Sequence, residues 1–565
     1  MPKRRKKFDP DTPGPASDCT KCGHSGKGLT APCACPNCDA PILTIAARER
    51  KERFDKLPPL AQMAIIAIPV MIVMTSYTVM QLVDSLMVSR IGPDEVYVAA
   101  QGNGGMVPYV FMAFSLGLCT VINTYVSQNL GAGRKENCAP YGWNGLWISL
   151  AMAITLIPIG LMLPYLFSKF NHSAQLQELE TAYGQILIAG AFFPMAARAI
   201  AQFFYGVHKP SVIMVAVLTG NTVNLLCNVV LIFGAAGAPE GFPLREQFQS
   251  VASFLGIEAM GLRGAAIGTV IGGSIEFGIP FLVFLSPRFN KLYKTRSTWK
   301  ISGKHIKDLL KLGWPGSLMF FNEMFCWALL LVWLSSMAGA KSVSDPALAE
   351  HAATVNTTAG WIALRFMQLS FMPGVGISIA ITALVGRNIG MGRPDLAAKR
   401  AWLGMKLTLL YMGTWALIFV IFPADLIRLY TAVNQTPAQV EELVRIGTTI
   451  MWAAAVFQLF DAVAISLTGA LRGAGDTVWP GMVTILFSWV FIILGGLLML
   501  FLFPTIGAIG PWIAASAYIV ALGIAVLFRF MGGKWKTIKL VECHPDQSPT
   551  ITKPIPEPTT TPTEG

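Results

Sequence analysis

From Leu60 to Phe530 the chain repeats one pattern, a long apolar run followed by a short polar segment. A helix that crosses a bilayer needs about 20 predominantly apolar residues. On that measure the pattern predicts twelve helices, at roughly 61–90, 101–128, 141–166, 178–206, 211–234, 264–286, 308–339, 351–388, 400–423, 440–471, 479–503 and 507–530. Several exceed the minimum length, so tilt or extension past the membrane is expected. The fold class is therefore an all-α polytopic membrane protein.

Composition supports this. Of 565 residues, 53% are hydrophobic and only 13% charged, with a mean hydropathy of +0.55. A soluble domain carries about twice that charge fraction. No secretory signal is expected, because the chain opens MPKRRKK and stays polar until near residue 60. The net charge of +12 does not point to nucleic acid. The basic residues instead crowd short segments beside apolar runs. Arg48, Arg50, Lys51 and Arg53 precede the first run; Arg288, Lys291, Lys294, Arg296, Lys300 and Lys304 follow the sixth; Lys534, Lys536 and Lys539 follow the last. The long segment 234–262 holds only Arg245. By the positive-inside rule, both termini and the central loop should be cytoplasmic, in a cell membrane or a bacterial inner membrane.

The chain is duplicated. "SLGLCTVINTYVSQNLGAGR" (115–134) matches "GVGISIAITALVGRNIGMGR" (374–393), with Gly117, Asn129, Gly131, Gly133 and Arg134 falling on Gly376, Asn388, Gly390, Gly392 and Arg393 at one constant offset. Each repeat holds six helices and so returns the chain to the same side. The repeats are parallel, related by an axis along the membrane normal, as in one class of secondary transporter. No Walker motif, GxGxxG or HExxH occurs, which disfavours ATP-driven transport and an intramembrane zinc protease. The expected divisions are a basic, Cys-rich module at 1–45, a linker at 46–57 and an N-terminal six-helix lobe at 58–290. An inter-lobe loop at 291–306, a C-terminal six-helix lobe at 307–532 and a disordered Pro/Thr-rich tail at 533–565 follow.

Polar residues inside apolar spans are the candidate chemistry. Asp84 is the first acid after a long uncharged stretch. A carboxylate in hydrocarbon costs several kcal/mol unless paired or neutralised, so it reads as a proton or sodium site; two turns from Arg90, it also reads as an interfacial anchor. Asn221, Asn224 and Asn228 share one helical stripe, as cation ligands or as interhelical glue. Gly264, Gly268 and Gly272 form a small-residue stripe beside Thr269 and Glu276. Glu323 and Asp461 are lone acids in long apolar stretches of the second repeat, either a cation site or ion-paired to Arg365. Arg198 is close enough to the inner face to snorkel.

The motifs "QLVDSLMVSRIG", "SQNLGAGR", "NTVNLLCNVVLIFG", "GLRGAAIGTVIG", "FMPGVGISIAITALVGRNIGMGR" and "SLTGALRGAGDT" together resemble the multidrug and toxic-compound extrusion (MATE) family over roughly 58–530, in its NorM-like branch. The resemblance implies a V-shaped, bilobed fold. It also implies export of drugs or other, often cationic, organic compounds in exchange for sodium ions or protons. Asp84 matches the family's helix-1 aspartate; Asn224 and Asn228 match the polar pair facing it, and Thr269 the nearby threonine. Asn221 joins them by its stripe. Glu323 and Asp461 match the C-lobe cation acids. Two departures stand out: Asn228 replaces an aspartate of some members, and Phe457 stands where the family has a tyrosine.

Outside that pattern, Cys19, Cys22, Cys35 and Cys38 have C-x2-C-x12-C-x2-C spacing, the mark of a zinc ribbon. Rubredoxin-like iron is the alternative metal, and for either metal Cys33 and His24 are substitute ligands. The expected partners are a small organic substrate, the lipid bilayer and a cytoplasmic partner for the ribbon, with the protein a monomer. Two rivals remain: a lipid-linked oligosaccharide flippase of the same wider superfamily, and a metal-sensing receptor. Neither calls for this set of buried acids.

Overall fold

A backbone in hydrocarbon has only itself to satisfy its N–H and C=O groups, so apolar runs of this length fold as helices. The structure, a computed structural model, describes residues 14–15, 30–31, 33–34, 41–42, 57–92, 96–169, 173–238, 242, 244–343, 345–429 and 436–541. The chain falls into two compact units, Met1–Ile65 and Ile66–Gly565. In the first, Gly14–Pro15 (β1) pairs antiparallel with Thr30–Ala31 (β2), and Cys33–Ala34 (β3) with Pro41–Ile42 (β4). Cys19, Cys22, Cys35 and Cys38, the expected metal ligands, lie outside the described residues.

The long helices of the N-terminal half are α1 (Pro59–Val88), α2 (Val96–Gly131), α3 (Cys138–Phe167), α4 (Ala174–Ala189), α5 (Phe192–Gly206), α6 (Pro210–Phe233) and α7 (Leu262–Phe284). Those of the C-terminal half are α8 (Gly303–Ala328), α9 (Pro346–Gly390), α10 (Pro394–Ile421), α11 (Pro437–Ala474), α12 (Val478–Phe487) and α13 (Ile509–Met531). α8 and α12 run on through π-helical stretches, Leu329–Leu334 and Ser488–Gly495. Among the described residues, 11 spans are long and apolar enough to cross a membrane, or 12 if α4 and α5 form one span. α4 and α5 are bent by 44° at the break, so the helix expected over 178–206 is two pieces. Gly190 sits at the break, where a Cβ would lie 2.4 Å from Val270 Cγ2. Pro194 follows in the first turn of α5, where a missing N–H costs nothing.

The two lobes meet through the second halves of α2 and α9. A Cβ on Gly131 would lie 2.0 Å from the Arg387 carbonyl oxygen; one on Gly390 would lie 2.1 Å from that of Gln128. Gln128 and Arg387 are themselves related by the repeat offset, so these contacts are reciprocal. Deeper in, Gly117 abuts Ser317 of α8 and Gly376 abuts Met71 of α1. Thr124 Oγ1 and Gln128 Nε2 donate to the carbonyls of Arg472 and Gly473, each at 2.9 Å. At the same end, Tyr125 and Tyr141 stack at 4.5 Å, and both hydroxyls donate to Asp308 at the start of α8. Packing also continues past α13, beyond the boundary expected at 532. Trp535 is fully buried, stacked 4.9 Å from Phe530 and donating to its carbonyl.

Candidate functional site

The N-lobe site is built on the packing of α6 against α7. Gly268 and Gly272 leave notches that Asn228 and Asn224 fill: a Cβ would stand 2.0 Å from Asn228 Oδ1 and 2.7 Å from Asn224 Cβ. Only glycine permits helices this close, and the approach locks both amides in place. Asn228 Nδ2 then donates to Asp84 Oδ1 at 2.7 Å and lies 3.4 Å from Asn224 Oδ1. Asn228 Oδ1 is buried with no hydrogen-bond partner among the described residues. Among the described residues no cation is paired with Asp84, and Arg90 forms no ion pair with it.

Two candidates are placed differently. Thr269 Oγ1 donates to the Ala265 carbonyl at 2.9 Å rather than to Asp84, with the Tyr183 hydroxyl close by. Asn221 lies two turns from Asn228 and donates to Ser76 Oγ at 2.7 Å. Beside it, the Tyr77 hydroxyl donates to Glu276 Oε1. The N-lobe therefore carries two polar tiers, Asp84–Asn228–Asn224 and Tyr77–Glu276 with Ser76–Asn221.

In the C-lobe, Glu323 of α8 accepts a hydrogen bond from the Tyr518 hydroxyl of α13 at 3.3 Å. Asp461 of α11 is close enough for its charge to act on both Glu323 and Tyr518. Among the described residues neither acid is ion-paired with Arg365. Phe457 is buried and offers no hydroxyl. Tyr518, Tyr77 and Ser76 are not among the candidates the sequence singles out, which are acids, amides, arginines and one threonine. A tyrosine in an apolar span was the available signal.

The family model MatE matches residues 69–230 and again 317–498. The chain is 27% identical over 436 residues to a probable multidrug resistance protein NorM of Thermotoga maritima, covering 76% of this chain and 83% of that one. It is 25% identical over 495 residues to the multidrug resistance protein MdtK of Yersinia pestis, covering 83% and 94%. Among solved structures, a MOP superfamily transporter from Pyrococcus furiosus superposes with a TM-score of 0.73 at 19% identity, covering 86% of this chain and 98% of that one. An outward-facing multidrug resistance MATE family transporter superposes at 0.71 with 20% identity, covering 86% and 98%. One model matching both lobes, with relatives aligned over most of their length, settles the family: the chain belongs to the MATE family, multi-pass membrane transporters rather than enzymes.

Proposed function

We propose that this protein exports drugs or other organic, often cationic, compounds in exchange for protons or sodium ions. The observation that carries the reading is Asp84: a carboxylate inside a membrane lobe, held by the neutral amide of Asn228 and not by a fixed cation. A permanent ion pair would freeze its charge, whereas an amide partner leaves it free to take up and release a proton or ion. Asn224 and Thr269 shape its surroundings, Asn221 belongs to the tier two turns away, and Glu323 with Asp461 serves as the cation site of the C-lobe. The relatives' names support drugs as the cargo. The protein is read as a monomer whose substrate passes between the lobes.

The end at which the lobes touch is also the end that carries Arg134, Arg393 and the basic stretch 288–304. The positive-inside rule puts that end, and both termini, in the cytoplasm. On this reading the structure is closed to the cytoplasm. Cys19, Cys22, Cys35 and Cys38 would hold a structural zinc, supplying fold to a short segment with little core. The pairing of Cys33 with Ile42 and Ala34 with Pro41 supports this by joining the chain on either side of Cys35 and Cys38.

The test is accumulation of a cationic dye in cells stripped of their own exporters, with and without sodium and after collapse of the proton gradient. Lower accumulation that depends on one of the two gradients is expected. Equal accumulation with and without the protein contradicts the reading.

A further inference from the structure

Three helices of the N-lobe carry polar residues two turns apart: Tyr77 and Asp84 on α1, Asn221 and Asn228 on α6, Thr269 and Glu276 on α7. Two turns span about 10 Å and return to the same face. α7 runs antiparallel to α6, as its glycine contacts show: Gly264 meets Leu231, Gly268 meets Asn228 and Gly272 meets Asn224. Glu276 therefore lies at the depth of Asn221 and Tyr77, two turns inward of Asp84.

The C-lobe has a counterpart. Gly261 and Gly507, both at positive φ, precede the last helix of their lobes. The sequence offset between them also separates Met71 from Ser317, the residues facing the symmetric glycines Gly376 and Gly117. Applied to α1, that offset places Tyr77 on Glu323; applied to α7, it places Gly272, one turn from Glu276, on Tyr518. Each lobe thus joins its first and last helices by a tyrosine–glutamate hydrogen bond at matching depth, with donor and acceptor helices exchanged.

We propose that Glu276 is a second proton-carrying carboxylate, the N-lobe equivalent of Glu323 and distinct from Asp84. This rests on the exporter reading above. The proton comes from water entering the lobe from outside, binds a Glu276 carboxylate oxygen and leaves to water on the cytoplasmic side. Tyr77 donates to the ionised carboxylate and turns to accept from the protonated one. Among the described residues the Tyr77 hydroxyl is the one hydrogen-bond partner of Glu276, whereas a hard metal cation takes about six oxygens, so the ligand is a proton. The other ionisable groups on α7 and the helices packed against it are Asp84, Glu178, Glu180, Tyr183, Arg198, Tyr205, Cys227 and Arg263, and among the described residues none is hydrogen-bonded to Glu276; α3 presents Trp143, edge-on to Phe281.

The test uses the purified full-length protein in weakly buffered detergent, with ethidium as the cation. Protons released per ethidium bound are counted, and ethidium efflux from proteoliposomes is followed across the physiological pH range. Glu276→Gln should release about one proton fewer while still binding dye, and its efflux should lose part of its pH dependence. Tyr77→Phe should keep the count and shift the midpoint. A wild-type proton count and pH profile in Glu276→Gln overturns the proposal and leaves the exporter reading intact. If Glu276→Gln does not insert, an unmoved midpoint in Tyr77→Phe overturns it. A wild-type protein that binds no ethidium and releases no proton contradicts the exporter reading, and the proposal falls with it.

Discussion

Asn228 and Asp84, 144 residues apart in sequence, share a 2.7 Å hydrogen bond inside the N-lobe. The amide suits both states of the acid. Its Nδ2 can donate to an oxygen of the ionised carboxylate and equally to the carbonyl oxygen of the protonated acid. A cation in place of Asn228 would serve only one state. The glycine notches on α7 hold this amide in position, so transport chemistry here depends on how closely two helices pack.

The reciprocal approach of Gly131 to Arg387 and Gly390 to Gln128 leaves no room for a side chain. Gly131→Ala should insert and fold each lobe but fail to close the lobe interface, cutting export at least tenfold. In a cysteine-free background, a Ser127→Cys reporter, buried on α2 against Gly386 of α9, should react faster with a thiol reagent once Gly131→Ala is added. An unchanged labelling rate counts against a close contact at this end.

Asp476 and Arg529 form an ion pair at 2.8 Å with side chains only 6% and 20% exposed, and the guanidinium also lies over Trp479. Removing one partner leaves the other charge poorly solvated, a loss of about 3 kcal/mol. Asp476→Ala should lower the melting temperature in detergent by several degrees. A melting curve that overlays the wild type shows the pair to be solvated and weak.

Glu323 and Asp461 act on each other and on Tyr518 as one cluster. Neutralising either acid removes the site, so Glu323→Gln, Asp461→Asn and the double variant should lose similar amounts of ion-stimulated export. Losses that multiply in the double variant indicate two separate roles.

The N-terminal cysteines should bind one zinc per full-length chain, measured by elemental analysis of purified protein. Cys19→Ser with Cys22→Ser should abolish it and leave dye export by the membrane part largely intact. A metal-free wild-type protein purified without chelators argues against the ribbon.

Spans and duplication were legible because hydrocarbon leaves the backbone so few options. The break at Gly190 was not, because it arises where α4 and α5 bend against Val270 of another helix. The same limit applies to the site. One stripe of three asparagines gave the face of α6, yet Asn221 pairs with Ser76 while Asn228 pairs with Asp84. Spacing along a helix reports a common face, not which tier of the neighbouring helix stands opposite. Tyr518 shows this again: its partner Glu323 lies 195 residues away on another helix, beyond anything spacing along one helix reports.

Asp84→Asn keeps the shape of the side chain and removes its titratable charge. In proteoliposomes with an imposed proton or sodium gradient, the variant should still bind a cationic dye but drive no uphill export. The wild type should concentrate the dye up to roughly 50-fold per charge moved across ~100 mV. Uphill export by Asp84→Asn at the wild-type rate, under both gradients and at every pH, would contradict the account and leave Asp84 a structural anchor.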